Sequence, residues 1–326
     1  MNYLMCSVGR RGELLKNCRN SIPKDAKIIA TDNSPYAPAL YLADKQYIVP
    51  RIDAPEYIDV LLDICKKENI RVVTTFIDPE IELLSKNRAR FSQLGIEVLA
   101  PYETTAALCF DKYRMFQHLQ KCGIATTMTW GTLEEFSAAE KAGEAKLPVF
   151  VKPRTGSGSV GARRINSYAE LEIAMAQDSS LIIQELMDCQ DLDADVYIDT
   201  ISHQAVSAFS KKKIETRIGG ASKTVSFKDP ALFDFIQKIV SVLELNGPVD
   251  MDFFYRDGQY YLSEINPRFG GAYLHAYGAG VDFFKLIENN LHGIENKPVF
   301  GDYEDGVVMM MYDSVVICKA DDIAKG

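Results

Sequence analysis

The stretch "VDMDFFYRDGQYYLSEINPRFGG", residues 249–271, contains two apolar runs separated by Asp257-Gly258. An aspartate followed by a glycine between apolar runs is a strong signal for a β-hairpin. Side chains two positions apart lie on the same face of a strand, so Asp250 and Asp252 point the same way. The stretch therefore predicts a hairpin that carries acidic side chains on one face.

The length of the hairpin loop decides what these acids meet on the second strand. Glu264 and Asn266 share a face of that strand. A two-residue loop places Met251 opposite Glu264, whereas a three-residue loop with a left-handed glycine places Asp252 opposite Glu264. We expect the three-residue loop, because the shorter one would divide the polar groups between two faces.

Carboxylate and amide oxygens clustered in this way suit Mg²⁺, a hard cation that completes its shell with phosphate and water. The expected ligands are Asp252, Glu264 and Asn266, with Asp250 as the alternative to Asp252. Arg268, two residues after Asn266, is then placed to reach a phosphate that is being transferred. The other interpretation is a solvated strand with scattered acids. It accounts poorly for Glu-x-Asn followed directly by Pro-Arg-x-Gly-Gly.

A second stretch, "VKPRTGSGSVGARRI" at residues 151–165, contains three glycines with the spacing G-x-G-x-x-G. A dinucleotide-binding loop needs a helix after its glycines, but the strand-like "ARRI" follows here. A P-loop is excluded as well, because no Gly-Lys-Ser/Thr closes the loop. The pattern favours a flexible lid whose backbone approaches phosphate oxygens, with Lys152 at its base. The alternative is a plain surface hairpin loop.

The composition is ordinary for a globular protein, with 47% hydrophobic residues, 25% charged residues and a formal net charge of -9 over 326 residues. No basic block stands out, so we expect no nucleic-acid partner. No apolar run approaches the roughly 18 residues of a membrane helix, so we expect no membrane partner. The seven cysteines include no C-x-x-C pair. Together with an N-terminus unlike a secretory signal, they predict a cytoplasmic protein.

Strand and helix patterns alternate over residues 1–105, which predicts an α/β domain with a parallel, Rossmann-like sheet. Residues 106–326 instead predict an α+β region with antiparallel strands in two lobes. The first lobe, 106–182, carries the lid, and the second, 183–326, carries the hairpin. The first domain has only part of a dinucleotide-binding pattern, so we do not expect it to bind NAD. Its candidates for a substrate cleft are Arg10, Asp78 and Glu80.

Four short stretches follow one another between residues 110 and 271. They are "FDKYRMF" with Lys112, "VFVKPRTGSGSVGA" with Lys152, "LIIQELM" with Gln184 and Glu185, and "SEINPRFGG" with Glu264, Asn266 and Arg268. In this order they resemble the ATP-grasp superfamily, and most closely its carbamoyl-phosphate-synthase-like and carboxylate–amine ligase branch. The α/β pattern before them resembles the family's usual N-terminal domain.

The resemblance implies that the protein binds ATP with Mg²⁺, or alternatively Mn²⁺. Two lysines would contact the phosphates under the lid, the backbone after Glu185 would meet the adenine, and Asp191 would hold the ribose. Two positions depart from the family: "CQD" replaces a Gly-Glu pair before the ribose acid, and Asp252 replaces a frequent glutamine. The expected ATP-binding residues are Lys112, Lys152, Gly156, Ser157, Gly158, Ser159, Gly161, Gln184, Glu185, Leu186, Met187 and Asp191.

The resemblance further implies a ligase that joins a small carboxylate to an amine or ammonia. A carboxylate oxygen attacks the γ-phosphoryl group of ATP to give an acylphosphate and ADP, and the amine then displaces phosphate. "KKKIETRIGGASKT", residues 211–224, is similar to the family's strand and turn at the acceptor site. Arg217 is its expected contact with the acylphosphate or the carboxylate, so Arg268 and Arg217 are the expected catalytic residues. For lysines 211–213, an exposed basic hairpin is an equal alternative.

Two other functions stay open at this point. One is an ATP-grasp kinase that phosphorylates its acceptor and stops, and the other is a non-catalytic ATP-binding regulator. The intact set of metal and phosphate contacts argues against the regulator. The sequence does not determine the substrates or the oligomeric state, for which a homodimer is the common arrangement.

Overall fold

The first part of the chain folds around a five-stranded parallel sheet, seen in a computed structural model that describes residues 1–156, 161–217 and 220–324. Its strands are β1 (Asn2–Cys6), β2 (Ile28–Asp32), β3 (Lys45–Ile48), β4 (Ile70–Thr75) and β5 (Glu97–Val98), in the order β3-β2-β1-β4-β5. Its helices are α1 (Gly12–Ser21), α2 (Tyr57–Lys67), α3 (Asp78–Lys86) and α4 (Arg88–Ser92), with a 3₁₀ turn at Pro38–Leu42. The central strands are buried on both faces, as helices on both sides of a parallel sheet require. The predicted α/β domain is confirmed.

A four-stranded antiparallel sheet follows two helices, α5 (Glu103–Phe110) and α6 (Lys112–Lys121). Its strands are β6 (Thr129–Trp130), β7 (Val149–Pro153), β8 (Arg163–Ile165) and β9 (Leu181–Glu185), in the order β6-β9-β7-β8. Helices α7 (Leu133–Lys141) and α8 (Tyr168–Gln177) share a hydrophobic core with this sheet. The glycine-rich stretch connects β7 to β8, which agrees with the prediction of a loop between two strands.

The largest sheet has seven strands and is antiparallel apart from one short parallel pair. Its strands are β10 (Gln190–Ile198), β11 (Ala205–Arg217), β12 (Gly220–Phe227), β13 (Gly247–Arg256), β14 (Gln259–Asn266), β15 (Val299–Phe300) and β16 (Val308–Met310). They lie in the order β14-β13-β10-β11-β12-β16, with β15 beside β11. The helices are α9 (Pro230–Val240), α10 (Leu274–Gly278) and α11 (Phe283–Leu291), with a 3₁₀ turn at Ala320–Asp322. The predicted antiparallel α+β region is confirmed.

The hairpin of β13 and β14 has the expected pairing of Asp252 with Glu264 but not the expected loop. Its loop is the two-residue turn Asp257-Gly258, with φ of 53° and 83°, so the expected three-residue loop is wrong. Nearer the turn, Phe253 pairs with Leu262, yet Asp252 pairs with Glu264. Ser263 is the extra residue of a β-bulge, which shifts the register by one and returns the polar side chains to a common face.

Among the helices of the described residues, none combines the length and the apolar character that crossing a membrane demands.

Candidate active site

A cavity of about 810 Å³ lies where the first domain and the two antiparallel sheets meet. Asp78 from the first domain, Lys152 from the four-stranded sheet and Glu264 from the seven-stranded sheet all line it. A cleft of this size, with convergent polar groups, is typical of a small-molecule binding site.

One face of four adjacent strands in the large sheet carries the polar residues of this site, and we call it the charged face. Strand register brings its members together, since Asp193 pairs with Lys211 on one side and with Asp252 on the other. The opposite face of the same strands is apolar and packs with α9 in the main core. The charged face consists of Asp191, Asp193, Asp195, Lys211, Lys213, Asp250, Asp252, Glu264 and Asn266.

The three predicted metal ligands lie side by side on the charged face. Asp252 and Glu264 are direct cross-strand neighbours, and Asn266 Nδ2 lies 3.4 Å from Asp252 Oδ2. Each carboxylate also contacts a lysine: Lys213 Nζ lies 2.5 Å from Asp252 Oδ1, and Lys112 Nζ lies 3.3 Å from Glu264 Oε1. The predicted metal position is therefore lined by oxygens that are partly neutralised by ammonium groups.

Deeper in the charged face, Lys211 is completely buried. Its ammonium lies 2.9 Å from Asp193 Oδ1 and also contacts Asp195. Burial raises the pKa of Asp195 to about 6, and burial with the neighbouring Asp193 raises the pKa of Asp250 well above its usual range. Among the described residues, Oδ1 of Asp195 and Oδ1 of Asp250 have no hydrogen-bond partner.

The charged face fits a divalent cation by its charge as well as by its donor atoms. Within the described residues, its six carboxylates contact four basic side chains, those of Lys112, Lys211, Lys213 and Arg268. Carboxylate and amide oxygens are the ligands that Mg²⁺ prefers. The excess of acids and the unpartnered buried oxygens leave room for added positive charge.

Arg268 closes the end of the cavity next to the first domain. Its Nε lies 2.9 Å from Asp78 Oδ1, and its Nη1 lies 3.6 Å from Asp250 Oδ2. Although burial lowers the pKa of Arg268, Asp78 and Asp250 outweigh it and raise this pKa above its ordinary value. The guanidinium therefore stays charged at the point where the ribbon of β13 and β14 meets the first domain.

The predicted phosphate-binding lysines lie at the other side of the cavity. The Asp111 carboxylate caps the N-terminus of α6, which begins with Lys112, and Lys112 Nζ donates a hydrogen bond to the Gly156 carbonyl. Burial lowers the pKa of Lys152, which lines the cavity without a hydrogen bond or ion pair to any described residue. The two lysines thus line a common space next to Gly156.

The glycine-rich stretch itself is only partly described. Gly156 lines the cavity, and Gly161 has a φ of +77°, a conformation that favours glycine. The predicted ATP-binding residues Ser157, Gly158 and Ser159 lie outside the described residues.

The segment after β9 borders the cavity, because Leu186 and Met187 both line it. The neighbouring Glu185 carboxylate accepts hydrogen bonds from the Met128 amide at 3.0 Å and from Arg256 at 3.0 Å. The Gln184 side chain is buried and donates to Thr129. The two polar side chains thus fix the end of β9, and the adenine contact of the backbone after Glu185 stays a prediction. Asp191 also lines the cavity and forms an ion pair with Lys213.

The remaining four candidate residues lie in different environments. Arg217 is exposed at the end of β11 and is absent from the cavity lining, so its catalytic role stays a prediction. Arg10 is exposed beside Asp313, and Glu80 is buried among Ser7, Tyr57 and Thr75. Of the first domain's three candidates, Asp78 lines the cavity, whereas Arg10 and Glu80 do not.

Sequence reasoning missed Arg11, Asp193 and Asp195, and it left Lys211 and Lys213 open between the site and an exposed hairpin. Arg11 lines the cavity and donates to the Gly270 carbonyl at 2.9 Å. The alternation Asp-x-Asp-x-Asp at 191–195 was a usable signal, because it places three acids on one face of a strand. The same period separates the inward Lys211 and Lys213 from the exposed Lys212, so the exposed basic hairpin is wrong for two of these three lysines.

Comparison with known proteins defines the class to which this fold and site belong. A family model for the ATP-grasp domain matches residues 109–272, half of the chain, and a model for the PylC-like N-terminal domain matches residues 3–99. The chain belongs to the ATP-grasp family, and the resemblance noted in its motifs is confirmed.

Its curated relatives are distant. A formate-dependent phosphoribosylglycinamide formyltransferase of Haloquadratum walsbyi is 26% identical over 258 residues, which are 74% of this chain and 61% of that protein. A D-alanine–D-alanine ligase of Flavobacterium johnsoniae is 30% identical over 107 residues, 31% of this chain and 33% of that protein. The chain therefore spans less than two thirds of the length of each of these relatives.

Solved structures share the fold at low identity. N5-carboxyaminoimidazole synthetase from Staphylococcus aureus superimposes with a TM-score of 0.74 at 18% identity, covering 95% of this chain and 81% of that chain. An L-amino acid ligase from Bacillus licheniformis superimposes with a TM-score of 0.68 at 16% identity, covering 91% and 75%. These likenesses establish the arrangement of the N-terminal domain and the ATP-grasp lobes.

Proposed function

We propose that the protein is an ATP-dependent ligase that joins a small carboxylate to an amine or ammonia through an acylphosphate. The observation that carries this proposal is the convergence of Asp252, Glu264 and Asn266 with Lys112 and Lys152 on one cavity. Carboxylate and amide oxygens together with ammonium groups around one space are what phosphoryl transfer requires, because its catalysis consists mainly of positioning and charge neutralisation.

Each side of the cavity has its own part in the proposed reaction. The backbone at Leu186 and Met187 holds the adenine, Asp191 holds the ribose, and the lysines hold the phosphates. Asp252, Glu264 and Asn266 hold Mg²⁺, which offsets the negative charge of the phosphates when it is bound. Mn²⁺ is a suitable substitute, since it accepts the same oxygen ligands.

The acceptor side of the cavity lies toward the first domain. Arg268 is positively charged, buried and next to Asp78, and Arg11 lies beside it. A guanidinium fork matches a carboxylate or an acylphosphate, so we assign the carboxylate substrate to this side. The same chemistry suits Arg217, which is exposed at the end of β11.

The proposed function also includes roles for the domains, a cellular location and an oligomeric state. The three units 1–105, 106–182 and 183–326 act as the N-terminal domain and the two ATP-grasp lobes, with β9 completing the sheet of the first lobe. The protein acts in the cytoplasm on small molecules, as a homodimer. The ligases among its relatives support a reaction that forms a carbon–nitrogen bond.

The test is ADP and phosphate release from ATP with a panel of small carboxylates and amino acids, with and without an added amine. We expect release that needs a carboxylate and an amine together, and that stops when the metal is chelated. Release of ADP with a carboxylate or another acceptor alone, unaffected by amines, would indicate a kinase. Binding of ATP without release under any of these conditions would indicate a regulator.

A further inference from the structure

Lys213 connects two predicted parts of the nucleotide site. Its ammonium lies 2.9 Å from Asp191 Oδ1 and 2.5 Å from Asp252 Oδ1, and only 14% of its side chain is exposed. Asp252 is a predicted metal ligand, and Asp191 is the predicted ribose contact. The same ammonium therefore contacts the carboxylates that are predicted to bind the metal ion and the ribose of a metal–nucleotide complex.

We propose that Lys213 is the counter-ion of Asp252 in the metal-free protein and gives up this carboxylate when a divalent ion binds with the nucleotide. This inference rests on the proposed function, because it needs the charged face to bind a metal with ATP. A lysine ammonium and a divalent ion compete for Asp252 Oδ1, since two cations repel at such a short distance. The displaced lysine needs a new anionic partner, which the phosphates of the nucleotide, ADP or ATP, supply.

The other lysines of the site are less suited to this exchange. Lys211 is completely buried between Asp193 and Asp195, so its ammonium has no path to a ligand. Lys112 lies farther from its carboxylate, at 3.3 Å, and also donates to the Gly156 carbonyl. Lys213 lines the cavity and, within the described chain, contacts only carboxylates.

The exchange makes metal and nucleotide binding cooperative. A metal ion alone must displace Lys213 into a cavity without a new partner, whereas a metal ion with nucleotide provides that partner. Coupling of this kind is reciprocal, so the nucleotide must raise the affinity for metal by the factor by which metal raises the affinity for nucleotide. A neutral side chain at position 213 should remove most of this coupling.

The experiment measures Mn²⁺ binding by electron paramagnetic resonance, without nucleotide and with ADP, for wild type, Lys213→Met and Lys212→Met. We expect Lys213→Met to bind Mn²⁺ alone about 10-fold more tightly than wild type and to lose most of the ADP–metal coupling. Lys212→Met should match wild type, because Lys212 is exposed on the opposite face of β11, near Phe227. Lys213→Gln, which keeps a polar group, is the second variant and should behave as Lys213→Met does.

Unchanged or weaker Mn²⁺ binding in both Lys213 variants, with wild type binding ADP in the presence of metal, overturns the inference and leaves the proposed function intact. If wild type binds no ADP with or without metal, the proposed function fails and the inference fails with it. Circular dichroism of each variant confirms that the compared proteins are folded.

Discussion

Arg268 Nε lies 2.9 Å from Asp78 Oδ1, and this ion pair joins the end of β14 to the beginning of α3. Both side chains are largely buried, with 13% and 15% exposed. The same guanidinium lies 3.6 Å from Asp250, a member of the charged face. One side chain thus links the first domain to the hairpin of β13 and β14, at the side of the cavity proposed for the acceptor.

Replacing Arg268 should destabilise the fold as well as abolish activity. Arg268→Ala leaves Asp78 and Asp250 buried without their counter-charge, and breaking a buried pair in this way typically costs about 3–5 kcal/mol. The free energy of unfolding from urea titration measures this cost. Arg10→Ala is the control, because Arg10 is exposed and should change stability by less than about 0.5 kcal/mol. A loss at Arg268 no larger than that of the control would show that the pair does not hold the two parts together.

Replacing Glu264 should remove turnover without removing the fold. Glu264→Gln keeps the size of the side chain but takes away one of two adjacent carboxylates from the predicted metal position. A bound metal contributes several kcal/mol to such a reaction, so we expect ADP formation to fall at least about 100-fold. A coupled ADP assay measures the rate, and thermal unfolding checks the fold. Glu215→Gln is the matched control at the exposed end of β11. Equal rates for both variants would contradict the predicted metal site at Glu264.

Gly270 should be intolerant of any side chain, in contrast to its neighbour. A Cβ at Gly270 would lie 2.5 Å from Asp195 Oδ1 and 2.8 Å from Asp250 Oδ1, whereas one at Gly271 meets no atom within 4 Å. We expect Gly270→Ala to lower the free energy of unfolding by about 1–3 kcal/mol, as overpacking does, and Gly271→Ala by less than about 0.5 kcal/mol. Equal stability of the two variants in urea titrations would be the contrary result.

His275 should give stability a measurable pH dependence. Its ring is buried, Nε2 lies 3.0 Å from the Val307 carbonyl and Nδ1 lies 2.7 Å from Thr224 Oγ1, which suits the neutral ring. Burial lowers the pKa of His275 to about 4, from 6.5. Because the unfolded chain binds the proton more readily, the stability due to neutral His275 is present above pH 6.5 and is lost as the pH falls toward 4.

The measurement compares wild type with His275→Gln between pH 7 and pH 4. The stability difference between them should shrink by about 3 kcal/mol over this range, because only wild type loses the histidine's contribution. The comparison with the variant is needed, since burial raises the pKa of Asp195 to about 6 and that group acts in the opposite direction. A stability difference that does not change with pH would show that the ring titrates normally in the folded protein.

Local patterns were sufficient for the elements of the fold but not for their register. Asp257-Gly258 and the alternation around it gave the hairpin, and the strand–helix alternation gave the parallel domain. The bulge at Ser263 could not be read, since a bulge is set by how two strands pack and not by the turn between them. Placing Asp193 beside Asp252 needs the pairing of strands about sixty residues apart, which no local signal contains.

The charged residues show the same division between local and distant information. The period of two separates Lys211 and Lys213 from Lys212, so their common direction was available in the sequence. The sequence did not show which face of β11 is buried, because the burial of that face depends on the acids of β10. Arg11 was missed for a related reason: its role follows from the contact with Gly270, a residue 259 positions away.

Four residue pairs separate the bulge at Ser263 from the tip of the hairpin at Asp257-Gly258. A Cβ at Gly258 would meet no atom within 4 Å, so the tip is open to solvent. An epitope or a fluorescent label inserted there would leave the orientation of Glu264 and Asn266 untouched. Deletion of the single residue Ser263 would remove the bulge and should likewise leave Asp252 opposite Glu264, because the flanking pairs would then form one regular ladder.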